Sequence, residues 1–197
     1  PELSRIEAKG DQIVIGAAVR QATLESWPDL ADRLPLVRAA IPWVGHTQLR
    51  NRGTVCGSVA HADPSAELPL CLLALGGTVT LRRRRKTRTV AARDFFQGMM
   101  STDLTPGEMI TSVSIPARKQ GTGYAFREVA RRHGDFAIVA CAAIARPDGS
   151  SALTVGGVAD TPQTLDLPAD TTDRDDSVVT HSSVLLRARD ERTCFAH

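Results

Sequence analysis

Between Arg50 and Leu70 the sequence reads RNRGTVCGSVAHADPSAELPL, with Thr54, Gly57 and Ser58 placed just ahead of an apolar helical pattern. Backbone N–H groups in such a turn can converge on an anion. Gly57 has no Cβ to obstruct close approach, and the two hydroxyls add donors. The chemistry this suggests is phosphate binding. Asp63-Pro64 then reads as a helix start, with Asp63 as N-cap and Pro64 at the first helical position. Glu67 lies one residue beyond the capping-box position, which is Ala66, and Pro69 pushes the regular helix to Ala66 or later. A plainer reading of the same residues stays open. The glycines then shape a turn, Asp63 caps a helix, His61 is a packed or hydrogen-bonded loop histidine, and Glu67 favours the positive helix end.

The elements around this stretch follow from periodicity. LSRIEAKGDQIVIGA predicts two strands joined at Lys9-Gly10-Asp11, because Ile13, Val14 and Ile15 are β-branched and flanked by turn formers. From Gln21 to Val44 the pattern breaks into short helical pieces at Pro28, Pro35 and Pro42, of which LPLVRAAIPWVG is the most helix-like. Leu68, Cys71, Leu72 and Leu75 form a helical stripe that Gly76-Gly77 ends. TVTLRRRRKTRTVAARDFF predicts a strand, a charged tip and a second strand, and EMITSVSIP a strand with one buried face. KQGTG reads as a linker, so one unit spans 1–118 and another 119–197. In the second unit FAIVACAAIA and ALTVGGVA form a hairpin across Arg146–Ser151. The composition turns polar and acidic over 161–176, and a last helix is expected over 178–189.

Composition excludes several classes. The 24 basic and 22 acidic residues leave a formal charge of only +2, so no global field draws the chain to nucleic acid or a lipid surface. The run Arg82–Lys86 has no interleaved aromatics, and aromatic residues make up 4% of the chain, so a solvated hairpin tip is expected there. The longest apolar run, Phe136–Ala145, is too short to cross a bilayer, and the chain opens with no leader pattern, which predicts no membrane insertion and a cytoplasmic protein. It starts at Pro1 rather than methionine, as expected of a piece of a longer product. The four cysteines, Cys56, Cys71, Cys141 and Cys194, have no metal-type spacing, and Cys71 and Cys141 are expected to be small buried hydrophobes.

GHTQLRNRGTVCGSVAHADPSAELP closely resembles the second FAD-binding segment of the flavoprotein (medium) subunits of molybdenum hydroxylases, the xanthine dehydrogenase and carbon monoxide dehydrogenase family. GYAFREVARRHGDFAIVACAA resembles the start of that family's C-terminal domain, VGGVADTP its following strand and turn, and DFFQGMMSTDLTPGEMITSVSIP lies between the blocks in the family's order. The likeness runs from Leu3 to about Pro162. It implies an α+β fold: an FAD-binding domain of the p-cresol methylhydroxylase type, whose N-terminal lobe would precede Pro1, followed by a small α/β domain.

Carried over by position, Thr54, Val55, Cys56, Gly57 and Ser58 correspond to the turn around the FAD pyrophosphate, and Gly45 to a backbone contact on the adenosine side. Glu67 matches an acidic residue near the ribityl and phosphate portion, Ile110 an aliphatic residue near the isoalloxazine, and Arg127 a basic residue at the ring's pyrimidine edge. Arg131, Arg132 and Asp135 read as a salt-bridged surface that positions the next strand. Cys56 departs from the family, which has glycine there, so close backbone approach requires an ordinary φ at that position. The resemblance implies an electron-transfer subunit that takes electrons from an iron-sulfur small subunit, fed by a molybdopterin large subunit, and passes them through FAD to an external acceptor. The [2Fe-2S] clusters and the molybdopterin belong to those partners, and no catalytic acid or base is expected in this chain. A truncated interaction module of such a complex and a single-chain flavin oxidoreductase of the same fold are the alternatives.

Overall fold

The computed structural model describes residues 2–169, so the helix expected over 178–189 and Cys194 lie outside the described residues. β1 (Ile6–Lys9) and β2 (Gln12–Gly16) form the expected hairpin, with Gly10 at φ 62° in its turn. The prolines divide the next stretch into α1 (Gln21–Glu25), α2 (Leu30–Arg33) and α3 (Pro35–Ala40), followed by a 3-10 turn over Ile41–Trp43. Then come α4 (Thr47–Arg50), α5 (Val55–His61) and α6 (Glu67–Ala74). β3 (Thr78–Arg83) and β4 (Lys86–Ala91) pair as a hairpin, and α7 (Ala92–Phe95), β5 (Phe96–Gly98) and β6 (Ser101–Thr102) lead to β7 (Met109–Pro116). β8 (Gly123–Val129), β9 (Val139–Ala145), β10 (Ser151–Gly156) and β11 (Gln163–Leu167) complete the described chain.

The fold is α+β, as the resemblance implies. One antiparallel sheet has the order β1-β2-β7-β3-β4, a second the order β11-β10-β9-β8, and β5 and β6 pair separately. β7 lies at the centre of the first sheet, where Ile110, Val113 and Ile115 are buried. The spacing of three between Ile110 and Val113 departs from simple alternation because the register shifts at Thr80/Leu81 and sets Thr111 in a bulge.

Helices lie between the sheets. α5 packs on β2 and β7, α3 on β8, and α6 on β9 and β10. A continuous core therefore runs from Ile13, Val79 and Val113 through Leu36, Leu70 and Leu72 to Phe126 and Ala140. Each of the larger side chains contributes about 1.5–3 kcal/mol of burial. α6 is buried on more than its predicted stripe, with Glu67, Pro69 and Leu70 also shielded, because it has a neighbour on each side. Gly76 at φ 65° ends it, and Gly77 N–H returns to the Leu72 carbonyl.

The structure corrects four local expectations. Asp63-Pro64 does not start a helix. Thr54 caps the unforeseen α5, which closes at Ala62 (φ 53°), whereas α6 starts at Glu67 behind Ala66 with no side-chain cap. Asp63 instead shapes the connection, its Oδ1 accepting from Ser65 N–H at 2.8 Å. Phe136 and Ile138 stand outside β9 and are exposed, so the apolar run begins as a loop. The polar stretch after Thr161 contains β11, whose mostly exposed residues lack the hydrophobic alternation that marks a strand. Cys71 is buried as expected, but Cys141 is only half-buried.

The arginine run does form an exposed tip, with Arg84 at φ 53°. Beside it, Arg88 donates to Glu108 through Nε (2.8 Å) and Nη2 (2.7 Å), and also bonds the Asp103 carboxylate through Nη1. Among the described residues, no helix is long and apolar enough to cross a membrane.

Candidate functional site

Separate segments of the chain meet at a cleft of about 580 Å³, lined in part by Gly45, Gly57, Ser58, His61, Glu67 and Phe136. The first wall is the turn after the 3-10 segment. Gly45 holds φ 51°, where an L side chain is strained, and a Cβ there would also meet Leu49 Cδ1 at 2.9 Å. The buried Arg50 pins this turn. Its Nη1 donates to the Val44 and Gly45 carbonyls at 3.1 and 3.0 Å, and its Nε to Glu25 Oε2 at 2.8 Å.

The second wall is α5. Thr54 Oγ1 accepts from Gly57 N–H at 3.0 Å, and a Cβ at position 57 would lie 2.7 Å from that oxygen, so a side chain there would make the capping hydroxyl shift. Val55 N–H donates to the Val19 carbonyl and Ser58 N–H to the Thr54 carbonyl. Val55 and Cys56 turn their side chains into the core, and the Cys56 thiol points to the Ile15 carbonyl at 3.7 Å. Burial pushes that thiol up to about 12, so it is an inert core group. Cys56 has helical backbone and is not among the positive-φ residues, so a side chain is accommodated at this position.

The third wall is the loop between β8 and β9. The His133 ring stacks on Trp43 with centroids 5.3 Å apart, and Gly134 (φ 88°) sits against His46, whose Cε1 would be 2.7 Å from a Cβ at that position. This contact carries Gly134, Asp135 and Phe136 to the cleft. The salt-bridged surface expected of Arg131, Arg132 and Asp135 does not form among the described residues; ring stacking holds the loop instead.

One acid stands at the cleft and a second behind it. Glu67, at the start of α6, is buried and lines the cleft, and its carboxyl faces that of Glu128 on β8. Burial, then repulsion from Asp63, raises Glu67 to about 6, with its own backbone N–H and Glu128 opposing the rise. Burial, then the charge of Glu67, raises Glu128 to about 7.

Of the residues singled out from the sequence, Gly45, Gly57, Ser58 and Glu67 come together at the cleft. Thr54 supports it from beneath, bridged to Arg20, while Val55 and Cys56 can offer only backbone. Ile110 and Arg127 do not line it. Ile110 is buried opposite Leu81, and Arg127 is exposed on β8 with Nη1 donating to the Phe126 carbonyl at 3.0 Å. Sequence reasoning passed over Arg50, Glu128 and the Trp43–His133 stack. The one available signal was Glu128 within a β-rich run, an acid where a strand turns inward.

Comparison with known proteins assigns the class. Residues 1–118 match the family described as FAD binding domain in molybdopterin dehydrogenase, and the chain belongs to that family, whose cofactor is FAD. Its relatives include the 6-hydroxypseudooxynicotine dehydrogenase complex subunit alpha of Paenarthrobacter nicotinovorans, 40% identical over 75% of this chain and 50% of that protein. The carbon monoxide dehydrogenase medium chain of Afipia carboxidovorans is 34% identical over 82% of this chain and 57% of its own. The chain thus spans about half the length of the curated relatives it matches. Among solved structures, quinoline 2-oxidoreductase from Pseudomonas putida 86 superimposes with a TM-score of 0.83 at 26% identity, covering 96% of this chain and 79% of that one.

Proposed function

We propose that this chain is the FAD-binding electron-transfer subunit of a heteromeric molybdenum hydroxylase, with 1–118 forming the FAD-binding unit and 119–197 the C-terminal one. The observation that carries the reading is the convergence of Gly45, Gly57, Ser58 and Glu67, distant in sequence, on one ligand-sized cleft. The residues present suit FAD. Gly45 and Gly57 line the cleft without presenting a side chain to it, and Ser58 adds a hydroxyl.

Bound FAD would supply two-electron redox chemistry that can also proceed in single-electron steps. In this reading the Gly45 turn takes the adenosine side, and the capped turn Thr54–Ser58 the pyrophosphate. Cys56 acts through backbone alone, Val55 fixes the turn through its N–H bond to the Val19 carbonyl, and Glu67 accepts hydrogen bonds from the ribityl side. Ile110 and Arg127 stand off this cleft, so their assignment, an aliphatic residue near the ring and a cation at the pyrimidine edge where added negative charge needs stabilising, rests on the family resemblance alone.

The partners would be an iron-sulfur small subunit and a molybdopterin large subunit, with electrons leaving to an external acceptor. No residue of this chain serves as general acid or base for the organic substrate. The free thiols of Cys56, Cys71 and Cys141 suit a reducing, cytoplasmic setting. A flavin titration tests the reading. The purified protein should bind FAD, acquire flavin absorbance and quench the flavin's fluorescence, whereas a colourless protein indifferent to added FAD would overturn it.

A further inference from the structure

The carboxyl of Glu128 has no assigned role. Both its oxygens are shut off from solvent and meet no N–H or O–H donor among the described residues. The group they face is the Glu67 carboxyl, and two carboxyls form a hydrogen bond only when one carries a proton. The neighbourhood offers little to neutralise a second negative charge. On the α5–α6 connection Asp63 adds a further acid, and within α6 the Cys71 thiol feels the Glu67 charge. β9 presents Ala140 opposite Glu128, and the preceding Arg127 is exposed, on the other side of the strand by alternation. Around the cleft itself stand Arg52, His61 and Asp135.

We propose that Glu128 is a positioning residue acting through Glu67, that the two carboxyls share one proton, and that this proton governs how tightly the cleft holds FAD. The inference rests on the FAD reading above. With the proton present, Glu128 holds Glu67 in a fixed orientation as an acceptor, and the pair carries a single negative charge. With the proton lost, two buried carboxylates repel each other and also face the anionic pyrophosphate that the neighbouring turn would hold. Affinity therefore falls as pH rises through the range in which the pair loses its proton. Glutamine at position 128 supplies a permanent N–H donor to Glu67 and removes the second charge.

Two measurements on the whole chain test this. The first is FAD affinity by fluorescence quenching across pH. The dissociation constant of the wild type should rise about tenfold between about pH 6 and about pH 8, the equivalent of one pKa unit of linkage, while Glu128→Gln should vary by less than about twofold. The second needs no cofactor. Infrared spectroscopy of the wild type should show a protonated carboxyl that disappears between about pH 6 and about pH 8 and is missing in Glu128→Gln. Equal pH profiles of binding in wild type and variant would overturn this inference and leave the FAD reading intact, whereas no binding at any pH would overturn both. Should Glu128→Gln fail to fold, the wild-type infrared titration decides: no protonated carboxyl near neutral pH sinks the idea.

Discussion

Carboxylates in this molecule live under two opposite regimes. Beside the β3–β4 hairpin, Glu108 accepts two hydrogen bonds from Arg88 and a third from Thr105 N–H, and it is held down to about 2, chiefly by the Arg88 hydrogen bonds. Between α6 and β8, Glu67 and Glu128 have mainly each other, and burial lifts them to about 6 and about 7. The side-chain type is the same. What differs is whether the charge meets a donor fork or a second acid in a shielded place. The contrast teaches where to look for binding chemistry: Arg88 meets the charge of Glu108, and the cleft leaves its own acids unmet.

The Arg50–Glu25 pair supplies the sharpest test, because its arginine is buried and compensated. Arg50→Ala would strand Glu25 and two carbonyls, and should lower the unfolding free energy by about 2–4 kcal/mol in urea titrations. A loss no larger than that of Arg88→Ala would show that burial does not separate the two regimes.

A second test uses pH. Glu67 and Glu128 have folded values above the ordinary carboxyl value of 4.5, so their protonation favours the folded chain at low pH. Stability should decline as pH rises from about 4.5 through about 7. Glu128→Gln should remove part of that decline, raising Tm at pH 8 by roughly 2 °C once solvent screening is allowed for. Glu108 has the reverse sign. Its depressed value gives stability that is present above 4.5 and lost as pH falls towards about 2. Arg88→Ala should accordingly cause a smaller, salt-sensitive fall in Tm and flatten the acid limb of the stability curve. The smallest effect concerns Cys56. Because its side chain lies in the core, Cys56→Gly should change FAD affinity less than about twofold in the fluorescence titration, while costing about 1–2 kcal/mol of stability, chiefly through the lost burial of that side chain.

Much of the fold was legible because it follows local rules. The β1–β2 and β3–β4 hairpins, the proline-split helices and the glycine stop after α6 all arise from neighbours in sequence. α5 escaped because its start is set by Thr54 rather than by the more conspicuous Asp63-Pro64, and its seven residues carry no visible apolar period. β11 escaped because an outer strand needs few apolar residues. At the site, Gly45, Gly57, Ser58 and Glu67 were recognisable from the family blocks. Arg50 and Glu128 were not, since their importance comes from contacts with the Gly45 turn and with Glu67 that only the folded chain creates.

The stack of Trp43 on His133 joins the 3-10 turn over Ile41–Trp43 to the loop that forms the third wall of the cleft. Trp27 is the only other tryptophan in the chain, so one of its two indoles is seated on that joint. Replacing Trp27 with phenylalanine would leave a single tryptophan that reports, without any added label, whether the β8–β9 loop is seated on the Gly45 turn.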